Sequence, residues 1–193
     1  MPLLRVYLAL SLDGFIADKD GGVEWLNAYM SPEIDFMGFM STIGCVVMGR
    51  TTFDQALTFK GGWHYSGMPC YVMSHRPPPP KCPKDVVFFS GDVHDLADKA
   101  RAAAGTKDVW LMGGGLSIQP FHHAGLVDRW ELSFIPILLG SGIPLFPAGA
   151  FAASPLRLAA SKVLANGIFS AEYEPLPPSS GAKRKPRGSM KSG

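Results

Sequence analysis

Short apolar runs of strand length recur along the chain, and most end abruptly on a glycine, a hydroxyl or a charge. Leu3–Leu10, Cys45–Met48, Cys70–Ser74, Val86–Phe89, Val109–Met112 and Trp130–Leu139 are such runs. Most are continuously apolar rather than alternating, the pattern of strands covered on both faces. Helix signals fill the gaps. Ser31 as N-cap with Pro32 behind it opens a helix expected to reach about Ile43. Thr51–Leu57 reads as a short second helix. Asp92 caps a third that runs through Ala104 and stops at Gly105, and Gly115–His123 is a fourth. Two closing runs, Leu156–Leu164 and Ile168–Tyr173, flank Asn166-Gly167, a strong hairpin signal. The pattern predicts an α/β fold: three layers, α/β/α, around a central mixed, mostly parallel sheet that ends in an antiparallel hairpin.

The length of 193 residues suits one domain, expected over 1–174. Residues 175–193, rich in Pro, Ser, Gly, Lys and Arg, read as a disordered basic tail. The formal net charge is only +2, and Lys183, Arg184, Lys185, Arg187 and Lys191 sit in that tail, so no electrostatic case for nucleic acid arises. The contrary reading is a nucleic-acid contact made by the tail alone. No apolar run approaches the ~18 residues of a membrane span. The first residues carry Arg5 and lead into Asp13, so they read as a strand rather than a signal peptide. Cys45, Cys70 and Cys82 are odd in number and form no C-x-x-C, which points away from disulfides and zinc and toward the cytoplasm. His122-His123 cannot share a helix face as i, i+4 ligands do, and no metal is expected. Trp63 and Tyr65 read as loop aromatics packed on the core. Cys45 and Cys70 have no evident activating base.

Open sheets of this class bind ligands outside the carboxyl ends of their strands. Three such ends carry suitable groups. Gly49-Arg50-Thr51-Thr52 combines free helix-start amides, a guanidinium and two hydroxyls, which suits an anion; the structural alternative is a Thr-capped turn with a surface arginine. Ser74-His75-Arg76 places a basic cluster where a ribose 2′-phosphate would be met, favouring NADP over NAD; the alternative is an exposed basic loop before Pro77–Pro80. Leu111–Ser117, LMGGGLS, permits close backbone approach to a ligand, or close packing of helix on sheet. Its register does not match G-x-G-x-x-G, and it has no P-loop lysine.

In this order, SLDGFIA (Ser11–Ala17), VVMGRTTFD (Val46–Asp54), VMSHR (Val72–Arg76), LMGGGLS and DRWELSFIPILLGSGIPLF (Asp128–Phe146) resemble the dihydrofolate reductase-like superfamily. The nearer resemblance is to the C-terminal reductase domain of riboflavin-biosynthesis deaminase–reductases, over roughly residues 3–174. The resemblance implies NADPH as cofactor. It implies that Ala9 and Ile16 line the nicotinamide end, that Gly49, Arg50, Thr51 and Thr52 hold phosphates, and that Ser74, His75 and Arg76 meet the 2′-phosphate. It further implies that Gly113, Gly114, Gly115 and Leu116 pass under the pyrophosphate and nicotinamide. On the substrate side it implicates two carboxylates, Asp13 and Asp35. Asp-Gly at 13–14 is also ordinary turn chemistry. Asp35 would share a helix face with Ser31, Gly38 and Thr42, or simply favour the positive end of that helix. Lys60 and Arg129 have no motif behind them as substrate-phosphate anchors.

The expected function is an NADPH-dependent reductase passing a hydride to a small heterocyclic or ribosylaminopyrimidine-like substrate. The alternatives are a non-catalytic NADPH-binding module and a dihydrofolate-type pterin reductase. A homodimer is expected, with Trp130–Leu139 and the LLGSGIPLF turn as its apolar interface.

Overall fold

The structure is a computed structural model and describes residues 1–176. The strands are β1 (Leu4–Ser11), β2 (Phe15–Ala17), β3 (Ile43–Gly49), β4 (Cys70–Met73), β5 (Val86–Phe89), β6 (Asp108–Leu111), β7 (Arg129–Ile135), β8 (Ile143–Pro144), β9 (Leu156–Val163) and β10 (Phe169–Pro175). The helices are α1 (Phe36–Ser41), α2 (Arg50–Ala56), α3 (Val93–Ala104) and α4 (Gly115–His123), with a 3-10 helix at Glu24–Tyr29. One sheet has the order β5-β4-β3-β6-β1-β7-β10-β9. Its pairings from β5 to β7 are parallel, while β10 runs antiparallel to β7 and to β9. The mixed sheet and terminal hairpin match the sequence expectation.

Two apolar layers cover the central strands. Leu4, Val6 and Leu10 of β1, with Cys45 and Val47 of β3, pack against Leu96, Ala97 and Ala100 of α3 and Ile118 and Phe121 of α4. Val46 and Met48 point the other way, to Phe39 of α1 and Phe53 of α2. Successive side chains of β3 are therefore buried on opposite faces, so its apolar run is continuous.

Most boundaries move by a residue; three differences are larger or change an assignment. The helix expected from Ser31 starts at Phe36, because Ser31 closes only a local turn (Ile34 N to Ser31 O, 3.1 Å) and Asp35, at φ −78° and ψ 65°, breaks the helical path. Asp35 is itself the N-cap, accepting from Gly38 N at 2.8 Å. The strand expected to reach Leu139 stops at Ile135, since Pro136 cannot donate to a ladder. The last strand takes in Pro175, the first residue of the expected tail; residues 177–193 of that tail lie outside the described residues. A separate ribbon of β2 paired with β8 was not foreseen.

Candidate functional site

The carboxyl ends of β3, β4 and β6 stop close to one level, with Val47 opposite Leu111 and Gly49 opposite Met73. Beyond them, and beyond the end of β1, lies a cleft of about 970 Å³. Ala9, Ile16, Gly49, Arg50, Thr51, Thr52, Gly113, Gly114, Gly115 and Leu116 all line it. Ser74, His75 and Arg76 do not; of the three, Arg76 approaches the cleft-lining Asp54. That carboxylate bonds Arg50 Nε at 2.8 Å and lies 3.6 Å from Arg76 Nη2.

Packing explains the glycines. A β-carbon on Gly49 would stand 2.1 Å from Ser117 Oγ, so the end of β3 meets α4 only through a glycine. Gly113 and Gly114 have φ of +66° and +72°, and an added β-carbon on either would lie within about 4 Å of Thr52 Oγ1. The threonine of one strand-end loop therefore faces the glycines of the other. Gly115 has a different reason: its β-carbon would fall 2.1 Å from Leu145 O. Neither α2 nor α4 has a side-chain N-cap bond, and the first-turn residues Arg50, Thr51, Thr52, Gly115, Leu116 and Ser117 line the cleft.

Arg50 is less free than its position in the sequence implied. Nη1 donates to Pro77 O at 2.9 Å, the guanidinium lies 5.3 Å from the centre of the Phe88 ring, and Nε is held by Asp54. Ser74 spends its hydroxyl on a turn, accepting from Arg76 N at 2.9 Å. The Arg76 side chain is 66% exposed and available to solvent.

The roof of the cleft was missed in the sequence. Gly142, Ile143 and Pro144 line it beside Ile16 and Ala17 of β2, and Gln55 Nε2 donates to Gly21 O at 2.7 Å, binding the loop after β2 to α2. Strands of three and two residues carry too little periodicity to be read.

The two carboxylates expected on the substrate side do not line this cleft. Asp13 lines no part of the cleft. It accepts from Ser11 Oγ at 2.6 Å, Leu139 N at 3.1 Å and Gly140 N at 2.7 Å, and these bonds hold its pKa below the ordinary carboxylate range. Asp35 lies in a second cavity of about 400 Å³, between α1 and the strands β1, β7, β10 and β9. There Tyr7 stacks on Phe39 with centroids 4.0 Å apart, and Arg5 is held by Glu131 at 2.6 and 2.8 Å and by Asp108 at 3.1 Å. Burial, with Glu131 and Asp35 nearby, pushes the Tyr7 phenol up.

Other sequence features are structural. Trp63 packs edge-on to Phe53 and Tyr65, and Tyr65 reaches Trp110. His122 lies 3.2 Å from Ala152 O and beside the Trp130 ring. Burial pushes the Cys45 thiol up to about 12 and raises Cys70 as well.

The family profile of the RibD C-terminal domain matches residues 2–170. The chain belongs to that family. The uncharacterized protein YyaP of Bacillus subtilis is 33% identical over 150 residues, 72% of this chain and 77% of that protein. The crystal structure of a putative riboflavin biosynthesis protein from Shewanella sp. PV-4 superposes with a TM-score of 0.79 at 31% identity, covering 91% of this chain and 99% of that one. Dihydrofolate reductase from Enterococcus faecalis, solved with NADP(H), shares the fold at a TM-score of 0.62 and 18% identity, covering 90% of this chain and 96% of that one. The fold of this RibD C-terminal domain is thus dihydrofolate reductase-like. Among its described residues no helix is long and apolar enough to cross a membrane.

Proposed function

We propose that this RibD C-terminal domain is an NADPH-dependent reductase acting on a small heterocyclic or ribosylaminopyrimidine-like substrate. The observation that carries the proposal is the convergence of the β3 and β6 loops on one cleft, with Thr52 facing Gly113 and Gly114. Its volume of about 970 Å³ suits an extended dinucleotide. Uncapped amides and the Thr51 and Thr52 hydroxyls suit phosphate, and the backbone at Gly113 and Gly114 admits close approach. Leu8, Ala9 and Ile16 offer an apolar floor for the nicotinamide, and exposed Arg76 offers a partner for the 2′-phosphate.

When bound, the cofactor supplies the hydride. The chain's own residues bind, orient and exclude water. Arg50, pinned by Asp54 and Pro77, presents its remaining N–H groups in fixed directions. The β2–β8 ribbon covers the apolar end. The acceptor would sit toward the Tyr7–Asp35 cavity, since Tyr7 and Ala9 share one face of β1, Tyr7 lining that cavity and Ala9 the cleft. The Shewanella relative supports a riboflavin-type substrate, and the Asp35 carboxylate supports the pterin-type alternative. The homodimer is proposed through the β9–β10 hairpin instead of β7. β7 is enclosed between β1 and β10, whereas Leu156, Leu158, Val163 and Phe169 are exposed. The cytoplasm is the proposed location.

A second reading, a non-catalytic NADPH-binding module, is favoured by the engagement of Asp13 and Asp35 in loop and cap bonds. Titration calorimetry with NADPH and NADH, followed by NADPH oxidation assays with pterin and ribosylaminopyrimidine acceptors, separates the two. NADPH binding with turnover supports the reductase, and binding without turnover supports the module. Equal affinity for both cofactors counts against the 74–76 assignment, and failure to bind either removes both readings.

A further inference from the structure

Asp13 is exposed, yet both of its carboxylate oxygens are occupied by bonds to two separate stretches of chain. Oδ1 accepts from Ser11 Oγ at 2.6 Å and from Leu139 N at 3.1 Å, and Oδ2 accepts from Gly140 N at 2.7 Å. Ser11 Oγ in turn accepts from Phe15 N at 2.9 Å, at the first residue of β2. The same two stretches are joined by Leu12 N to Ile137 O at 2.9 Å and by Leu145 N to Gly14 O at 3.0 Å. The ribbon they flank pairs only Phe15 with Pro144 and Ala17 with Ile143. A two-stranded ribbon this short does not hold itself together in water. Its position over the cleft is fixed by the bonds at its open end, with the Gln55–Gly21 bond beyond its other end.

We propose that Asp13 is a positioning residue whose carboxylate clasps the turn after β1 to the segment after β7, holding the β2–β8 ribbon over the apolar end of the nucleotide cleft. Ile16 and Ala17 on one strand and Ile143 and Pro144 on the other line that end. The segment continues into Leu145, whose carbonyl presses on Gly115. The clasp therefore reaches the glycine loop as well as the roof. An ionised carboxylate is required because all three groups bonded to it donate. An amide in its place would turn an N–H₂ toward at least one of them.

The inference rests on the nucleotide reading given above, and the test separates the two. Full-length wild type, Asp13→Asn and Ser11→Ala are titrated with NADPH and with adenosine 2′,5′-bisphosphate, a fragment that lacks the nicotinamide half. Amide exchange is followed at Gly140, Leu145 and Phe15 without ligand. The expected result for Asp13→Asn is NADPH affinity lowered about tenfold, the effect of one lost charge-assisted hydrogen bond. Fragment affinity stays unchanged and exchange at Leu145 quickens while the α3 amides stay protected. Ser11→Ala keeps the Asp13–Gly140 bond and frees Phe15, so it loses NADPH affinity by a smaller factor. Unchanged NADPH affinity in Asp13→Asn, or equal loss of NADPH and fragment, overturns the clasp. Wild type that binds neither ligand overturns the cofactor reading instead. The exchange rate at Leu145 in the unliganded variant then still decides whether the clasp holds the ribbon.

Discussion

Gly49 and Ser117 touch: a β-carbon built on the glycine would stand 2.1 Å from the serine Oγ. The end of β3 and the first turn of α4 are thereby locked at the distance that brings their two loops to one cleft. Gly49→Ala should destabilise the fold by about 1–3 kcal/mol, the usual effect of overpacking a fitted contact. Ser117→Ala removes the clashing oxygen and leaves the serine β-carbon 3.3 Å away. The double variant should recover most of the loss. Urea unfolding of the four proteins in the cycle checks this; strictly additive effects would mean that the contact is not the reason for the glycine.

Arg76 and Arg50 should separate cleanly. Arg76 is mostly exposed and only 3.6 Å from Asp54, so Arg76→Ala should change stability by no more than about 0.5 kcal/mol. It should nevertheless erase most of the NADPH-over-NADH preference, since a charged hydrogen bond to a phosphate is worth about 1.5–3 kcal/mol. Arg50→Ala breaks bonds to Asp54 and Pro77 and uncovers Phe88, so it should weaken both cofactors and also lower stability. Calorimetry on both variants beside urea titrations decides; an Arg76 variant that keeps the full preference would return the 74–76 loop to an ordinary basic turn.

The cap role of Asp35 can be separated from a substrate role. Asn caps a helix about as well as Asp, so Asp35→Asn should leave stability nearly unchanged, while Asp35→Ala should cost about 1 kcal/mol. If the carboxylate also meets the acceptor, Asp35→Asn should lower kcat/KM at least about tenfold with NADPH affinity intact, as expected for losing one charged contact. Steady-state kinetics and thermal melts on both variants give the answer. Normal turnover by Asp35→Asn would leave the residue a cap only.

What the sequence made legible was local or topological. α3 was read in full because its stops are its neighbours: Asp92 accepts from His94 N at 2.8 Å, and Gly105 takes φ of +67°. The cleft-lining glycines and threonines were legible because a parallel sheet collects its loops at one edge. The role of Asp13 was hidden because its partners Leu139 and Gly140 lie 126 and 127 residues away. The β2–β8 ribbon was hidden by a like separation, Phe15 pairing with Pro144, and by the shortness of its strands. The start of α1 was misread because Ser31-Pro32 is a sound local signal. It lost to Asp35, whose approach to Gly38 is so close that a β-carbon there would sit 2.0 Å from Oδ2.

Buried thiols should govern the alkaline limb of stability. Cys45 is fully buried, and burial lifts its pKa from 9.0 to about 12. The protonated thiol is the neutral form, so a folded pKa above the unfolded one contributes stability that is whole below pH 9 and is lost as pH rises toward 12. Cys70 is shifted the same way, as is Tyr65, to about 12. The urea midpoint should therefore stay level to about pH 9 and then fall, each group adding up to about 1.4 kcal/mol per pH unit. Cys45→Ala should make that fall shallower. In the native protein a thiol reagent should reach half-buried Cys82 well before the other two cysteines. An alkaline slope untouched by Cys45→Ala, or equal labelling of all three thiols without denaturant, would show that these sites open to water far more readily than their packing implies.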